Sequence, residues 1–364
     1  MSFSGSKQNI MRIIFHIPES INWQRAAASQ LRPQKLLKTF QSLGYIVDFV
    51  EGTGSERKKQ IKQIKQNIRM GIHYAFLYSE SSTMPTLLTE KSHFPFYPFL
   101  DFSFLNFCQK RGIKIGLFYR DIYWCFWDKK NWKQKIASIF YYYDLYKYKK
   151  LVDVLFVPSL EMRKFIPFNF YKSMVGLPSG LDINFFSNKT VCDVFNILYV
   201  GGIGVHYNLK MIMKVVLNVP NVCLTVCCRK EDWDVVKDEY SVYITNNIRI
   251  VHKVGEELFS LFHEADMFNL FVEPTIYRSF AVPYKLYEAL GYGCPILASA
   301  KTWVADFVKK NDIGYVVDYS ENALQEFLIN IKRDDLMRYK NNVFRVAKEN
   351  TWEMRVNQII DELF

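Results

Sequence analysis

Nowhere does this chain of 364 residues hold 18 apolar residues in a row. Its greasiest window, Phe94–Cys108, is broken by Pro98, Asp101, Ser103 and Asn106. A membrane-crossing helix is therefore not expected. Met1–Ile10 lacks the apolar core of a signal peptide, so secretion is not expected either. Cysteine is sparse and unpatterned. The seven are Cys108, Cys125, Cys192, Cys223, Cys227, Cys228 and Cys294, an odd number with no CxxC pair. That argues against a disulfide framework and against a zinc site, and fits small buried hydrophobes in a reducing compartment. Internal repeats and low-complexity tracts are missing. So are helix-turn-helix, zinc-finger and RNA-binding signatures, which leaves nucleic acid out as a partner.

Acidic residues are scarce in one half only. Met1–Thr190 carries 28 Lys and Arg against 13 Asp and Glu, whereas the remainder carries 19 against 23. A basic front half suggests an anionic partner, either a phospholipid surface or a phosphorylated acceptor; a merely soluble basic face is the alternative. Aromatics are plentiful at 16%, and 49% of residues are hydrophobic, which fits a folded protein of about two domains.

Short apolar runs alternate with helical patterns, the sequence sign of βαβ units and a parallel sheet. The front half predicts strands at 12–17, 45–50, 74–78, 114–119, 154–158 and 174–177. Helices are expected between them near 24–43, 56–71, 97–110, 132–150 and 160–165. Gly44 serves as a stop after the first helix. A second series predicts strands at 196–200, 222–227, 248–251, 267–270, 295–298 and 315–317. Its helices are expected near 209–217, 234–239, 256–263, 283–292, 304–309 and 323–331. The tail, 336–363, reads as helix with a break at Asn350–Thr351, where Thr351 could cap a last helix. The expectation is an α/β protein of two doubly wound, Rossmann-like parallel-sheet domains facing a cleft. The domains run from 1 to 185 and from 186 to 345, with a C-terminal helix at 346–364 that could return to the first domain. Ligands of such sheets bind outside the carboxyl ends of the strands.

The segment richest in chemistry is Phe280–Ala300. It reads as a loop, a helix opened by Pro283, a glycine turn and a buried strand. Lys285 and Glu288 are three apart, so they share a helical face near the helix N-terminus. That end collects free N–H groups and partial positive charge, which suits an anion. Lys285 adds a full charge, and Glu288 can accept two hydrogen bonds from a vicinal diol. A diphosphate joined to a ribose fits that pattern; so does a plain surface ion pair. Gly201 and Gly202 stand between a strand and a helix, where backbone can approach a phosphate or simply turn. Arg229 and Lys230 follow the strand 222–227 and precede Glu231 and Asp232, so they read as phosphate contacts or as part of a solvated cluster.

Phe280–Ala298 resembles the donor-binding signature of glycosyltransferase family 4, with its Pro-x-Lys-aliphatic-aromatic-Glu-aromatic-Leu-x-x-Gly-x-Pro pattern. Leu177–Asp182 with Phe185 resembles the linker signature before the second domain of that family. Ile197–Gly202 and Asn208–Val216 resemble its first strand, Gly-Gly loop and helix. His252–Leu258, with Val254, resembles the loop bordering the nucleotide base. The resemblance spans most of 178–300. It implies a GT-B fold, a hexosyltransferase-type activity on a nucleotide-sugar donor, and no metal or other cofactor. Two departures stand out. The family often has a second Glu eight positions earlier, where this chain has Phe280. It also often places bases after the Gly-Gly turn, where Ile203–Asn208 has no Lys or Arg before Lys210.

On the catalytic side, Asp121 follows a buried-looking strand and could accept the acceptor proton or steady charge at the anomeric carbon; pairing with Arg120 is the structural alternative. His16 ends the first strand and is a second candidate, or a satisfied structural histidine. Trp124–Lys150 interleaves Trp, Tyr and Lys, the residues that favour an anionic membrane interface; a core helix with a basic outer face would also account for it. The reading is a cytoplasmic enzyme, peripheral at the inner face of a bacterial membrane. It would pass a sugar to a glycan or lipid-linked acceptor in surface-polysaccharide or lipopolysaccharide synthesis. A nucleotide-sugar epimerase and a non-catalytic sugar-nucleotide binder are the alternatives.

Overall fold

A computed structural model describes residues 11–24, 27–127, 129–170, 172–185, 194–204 and 207–364. Met1–Ile10, Cys192, the linker at 186–193, and Val205 and His206 lie outside the described residues. Two compact units divide the chain. One runs up to Ser179 and includes Trp352–Phe364; the other is Gly180–Thr351.

The first unit contains β1 (Arg12–His16), α1 (Ala28–Ser42), β2 (Ile46–Val50), α2 (Gly54–Arg69), β3 (Phe76–Glu80), α3 (Leu100–Gln109), β4 (Lys114–Phe118), α4 (Trp132–Leu151), β5 (Val154–Val157) and β6 (Ser173–Gly176). The strands form a parallel sheet in the order β2-β1-β3-β4-β5-β6. The order reverses at β1, whose neighbours β2 and β3 lie on opposite sides. The strands are apolar on both faces because helices cover both: Ile13, Ile14, Phe15, Leu77 and Tyr78 are all fully buried. Local signals set the helix starts. Thr53 and Glu56 form a reciprocal capping box on α2, and Asn131 and Gln134 form one on α4. Leu160–Phe165, expected as an α-helix, is a 3-10 helix.

The second unit contains β7 (Phe195–Val200), α5 (Lys210–Val216), β8 (Val222–Cys227), α6 (Lys230–Tyr240), β9 (Ile248–Val251), α7 (Leu258–Glu264), β10 (Met267–Leu270), α8 (Tyr284–Gly291), β11 (Ile296–Ser299), α9 (Trp303–Asn311), β12 (Gly314–Val317), α10 (Glu321–Asn330) and α11 (Asp334–Lys348). Its parallel sheet runs β12-β11-β10-β7-β8-β9, so the order reverses between β7 and β10. Alternate residues of β7 feed two cores. Phe195, Ile197 and Tyr199 join the layer of α5 and α10, while Leu198 joins that of α8 and α9.

The last helix, α12 (Trp352–Leu363), belongs to the first unit and packs against α1 and β4. It buries Trp352, Val356, Ile359 and Leu363, each worth roughly 1.5–3 kcal/mol of apolar burial. Gln358 Nε2 donates to Gly176 O at 2.9 Å, and Arg355 Nε to Ser179 O at 3.3 Å. Arg32 Nη1 adds a bond to Pro178 O at 3.0 Å. The segment leaving β6 is thus held by its carbonyls. None of the described helices is long and apolar enough to cross a membrane.

Candidate active site

In the second unit the candidate residues gather where the strand order reverses, the point at which open α/β sheets bind ligands. The chain leaves β7 through Gly201, whose φ of +146° is a conformation that L side chains rarely adopt. A Cβ at Gly201 would also lie 2.7 Å from Lys285 Nζ. Glycine is therefore needed for the backbone, and its bare Cα lets the lysine approach. Tyr199, at the end of β7, donates through its hydroxyl to Gly202 O at 2.6 Å and accepts from Lys285 Nζ at 2.9 Å.

Lys285 sits in the first turn of α8. No side chain caps this helix, extended Pro283 leads into it, and its first turn is the helix's positive end. Lys285 Nζ is 3.5 Å from the Tyr207 ring centroid and 4.5 Å from that of Tyr199, close enough for cation–π attraction. The Arg278 guanidinium is 5.3 Å from the same Tyr207 ring. Burial, followed by the charge of Arg278, pushes Lys285 down to about 7, with Glu288 acting the other way. Glu288, one turn along, is pushed up by burial and pulled back by Lys285. The arrangement offers two cations, glycine backbone and a carboxylate within one small region. It suits a ligand with an anionic centre and a diol.

Tyr199, Tyr207 and Arg278 were not anticipated from sequence. Arg278 lies on a 3-10 turn, Tyr277–Ser279, in the connection after β10. It supplies the positive charge that the stretch after Gly202 lacks. Phe280, where the family often has Glu, is buried with its ring 5.3 Å from that of Tyr277. Arg229 and Lys230 stand exposed at the start of α6, and Lys230 lies 3.9 Å from Asp234. The contacts around Lys285 do not include them. Val254, 64% exposed, precedes the short helix Gly255–Glu257 and donates its N–H to Glu257 Oε2 at 3.3 Å.

In the first unit His16 is buried, and both ring nitrogens are engaged, with Ser79 Oγ at 2.8 Å and Asp101 Oδ1 at 2.9 Å. Asp101 also accepts from Arg57 Nε at 3.0 Å and Nη2 at 3.2 Å. Burial alone would raise the Asp101 pKa; His16 and Arg57 outweigh it and hold the carboxyl low. This network ties β1, β3, α2 and α3 together, so the structural alternative describes His16 better than a reactive role. Asp121 follows β4 and accepts from the N–H groups of Ile122 at 2.6 Å and Tyr123 at 3.0 Å. Arg120 turns away to Glu80, at 3.3 Å, and to Ser29 O, at 2.8 Å. Glu80, fully buried, also holds Arg32 at 3.0 Å.

Residues 194–334 match the family described as "Glycosyl transferases group 1". No curated relative matches by sequence. Among solved structures, sucrose-phosphate synthase from Thermosynechococcus elongatus is similar at TM-score 0.64 and 12% identity, over 96% of this chain and 97% of that one. The Anabaena protein HepE, solved with UDP and glucose, is similar at TM-score 0.63 and 11% identity, over 97% and 99%. WaaG, a glycosyltransferase involved in lipopolysaccharide biosynthesis, is similar at TM-score 0.61 and 13% identity, over 96% and 99%. The fold is that of the GT-B enzymes. With the family match in the second unit, it makes the chain a glycosyltransferase.

Proposed function

We propose that this glycosyltransferase is of the family 4 kind. It would take a hexosyl group from a nucleoside-diphosphate sugar, with uridine or guanosine as the base, and pass it to a hydroxyl of a glycan or lipid-linked acceptor. The surface-polysaccharide or lipopolysaccharide setting belongs to the same proposal. One observation carries it: Lys285 stands against Gly201 and shares the Tyr207 ring with Arg278, while Glu288 stands one helical turn away. Lys285, Arg278 and the Gly201–Gly202 backbone would meet the diphosphate. Glu288 would hold the ribose hydroxyls, and Val254 would border the base. Positive side chains take up charge on the leaving diphosphate, so the proposal calls for no metal or other cofactor.

Asp121 is the proposed catalytic carboxylate, as proton acceptor or as partner to positive charge at the anomeric carbon. His16 is given a positioning role through Ser79 and Asp101. The first unit would receive the acceptor at the inner face of a membrane. The exposed residues Trp132, Ile136 and Ile139 of α4 support this, together with the lysines around them. Incubation with labelled UDP- and GDP-sugars, with and without bacterial lipid extract, tests the reading. Transfer to lipid is the expected result. Donor conversion without acceptor would make the protein an epimerase, and binding alone a non-catalytic binder.

A further inference from the structure

The ammonium of Lys285 already has company on the sides its chemistry uses. Besides its own stem, three neighbours stand around Nζ. Tyr199 Oη accepts from it at 2.9 Å. Gly201 lies so near that a Cβ there would be 2.7 Å from it. The ring of Tyr207 covers it with a centroid 3.5 Å away. That distance is van der Waals contact. A phosphate oxygen needs to come within about 2.7–2.9 Å of the nitrogen, so none fits between Nζ and the ring.

The three neighbours differ in how they are held. Tyr199 is fully buried in the core of the second unit, and its hydroxyl is tied to Gly202 O. Gly201 N donates to Cys227 O at 2.9 Å, which continues the pairing of β7 with β8. Tyr207 is half-buried; its N–H donates to Gly204 O at 3.1 Å, and its carbonyl accepts from Gly204 N at 3.2 Å. A change of side-chain rotamer moves the Tyr207 ring and leaves both of those bonds in place. The same ring also faces the second cation, with the Arg278 guanidinium carbon 5.3 Å from its centroid. An aromatic face is the negative part of the ring's charge distribution. One ring thus offers both cations the sign of charge that a diphosphate would bring.

We infer that Tyr207 sets the affinity of the donor site: its ring holds the diphosphate's place against Lys285 and Arg278 in the free protein, and swings away when the diphosphate binds. The inference rests on the proposed donor reading for the identity of the anion, and on the ring contacts alone for the exchange. Two cation–π contacts are given up for charge-assisted hydrogen bonds, which are the stronger kind. Part of the ligand's binding free energy goes into displacing the ring. A nucleoside without phosphates displaces nothing and is indifferent to residue 207.

Calorimetry on the full chain tests this with UDP, GDP, uridine and inorganic pyrophosphate. It is run at pH 6.5, where Lys285, with its pKa of about 7, is mostly charged. Tyr207→Ala should bind pyrophosphate, and whichever of UDP and GDP the wild type takes, about threefold to thirtyfold more tightly, the range of a cation–π contact. Tyr207→Phe keeps the ring and should match the wild type, and uridine should not distinguish the three proteins. Thermal melts verify that both variants fold. Fluorotyrosine NMR follows the ring itself: among the 23 Tyr, the line lost in Tyr207→Phe is that of Tyr207, and it should move when pyrophosphate is added. Unchanged or weaker diphosphate binding by Tyr207→Ala, tightening by Tyr207→Phe as well, weaker uridine binding, or a Tyr207 line that ignores bound diphosphate would each overturn the inference while sparing the donor reading. Pyrophosphate binding tightened by Tyr207→Ala in a protein that ignores both UDP and GDP would do the reverse: the exchange would stand and the donor reading would fall. A chain that binds none of these anions in any variant would remove both.

Discussion

Lys285 gives the proposed donor site a pH signature whose sign and size follow from its surroundings. Its pKa in the free protein is brought down to about 7 from an ordinary 10.5, by burial first and by Arg278 second. A diphosphate beside it would favour the charged form and raise that pKa again. Between the two values the complex holds a proton that the free protein lacks, so binding takes up a proton and affinity falls as pH rises. Above pH 7, where half of the free lysine is still charged, the slope approaches tenfold per pH unit, or roughly 1.4 kcal/mol, so UDP should bind about fiftyfold more weakly at pH 9 than at pH 7. A phosphate's second ionisation lies near 6, so the ligand's own charge is constant over this range. Uridine, without phosphates, should show no slope. Lys285→Arg should flatten the UDP curve, because a guanidinium stays charged throughout. Calorimetry from pH 6.5 to 9, in buffers of differing ionisation enthalpy, reads both the affinity and the proton taken up. A flat wild-type curve, or a slope that survives Lys285→Arg, refutes the assignment of Lys285 to phosphate.

Glu288→Ala should cost about 1.5–3 kcal/mol of donor binding, the usual loss of a charged hydrogen-bond partner; unchanged affinity by calorimetry would remove Glu288 from the ribose. Asp121→Asn keeps an oxygen able to accept from Ile122 and Tyr123, so fold and donor affinity should persist while turnover falls about 10²–10⁴-fold. Normal turnover in steady-state assays would return Asp121 to a structural role. Replacing Lys129, Lys130, Lys133 and Lys135 with Gln should release the protein from anionic vesicles in co-sedimentation, as should high salt, since each charge near the surface adds about 1 kcal/mol. Any residue held by ring insertion, with Trp132 at 68% exposure the leading candidate, should persist in salt. A wild-type protein that ignores anionic vesicles at low salt would refute the membrane reading.

The strands were the legible part of this fold. Buried on both faces, parallel strands are written as short unbroken apolar runs such as Ile13–Phe15 and Ile296–Ala298. Helix ends were less legible. A short capping pair such as Thr53 and Glu56 fixes the start of α2 at Gly54, while the periodicity showed only from Glu56 onward. Lys285 and Glu288 were visible because one helix holds both. Arg278 was not: it stands on a short 3-10 turn after β10, and only the sheet order, by placing β10 beside β7, brings it to the ring of Tyr207. The same limit hid the bonds of His16 to Ser79 and Asp101, whose partners are separated by long stretches of chain. Sequence names the chemical groups; topology decides which of them meet.

The placement of α12 bears on how the protein is made. Synthesis proceeds from the N-terminus, and the second unit is a single continuous stretch that ends before Trp352. Everything that unit needs has therefore been synthesised while the first unit still lacks its last helix. Until Trp352, Val356, Ile359 and Leu363 arrive, the faces of α1 and β4 that they cover stay open to water. The half of the chain made first is thus completed last, and a premature stop anywhere in the second half would leave the first unfinished as well.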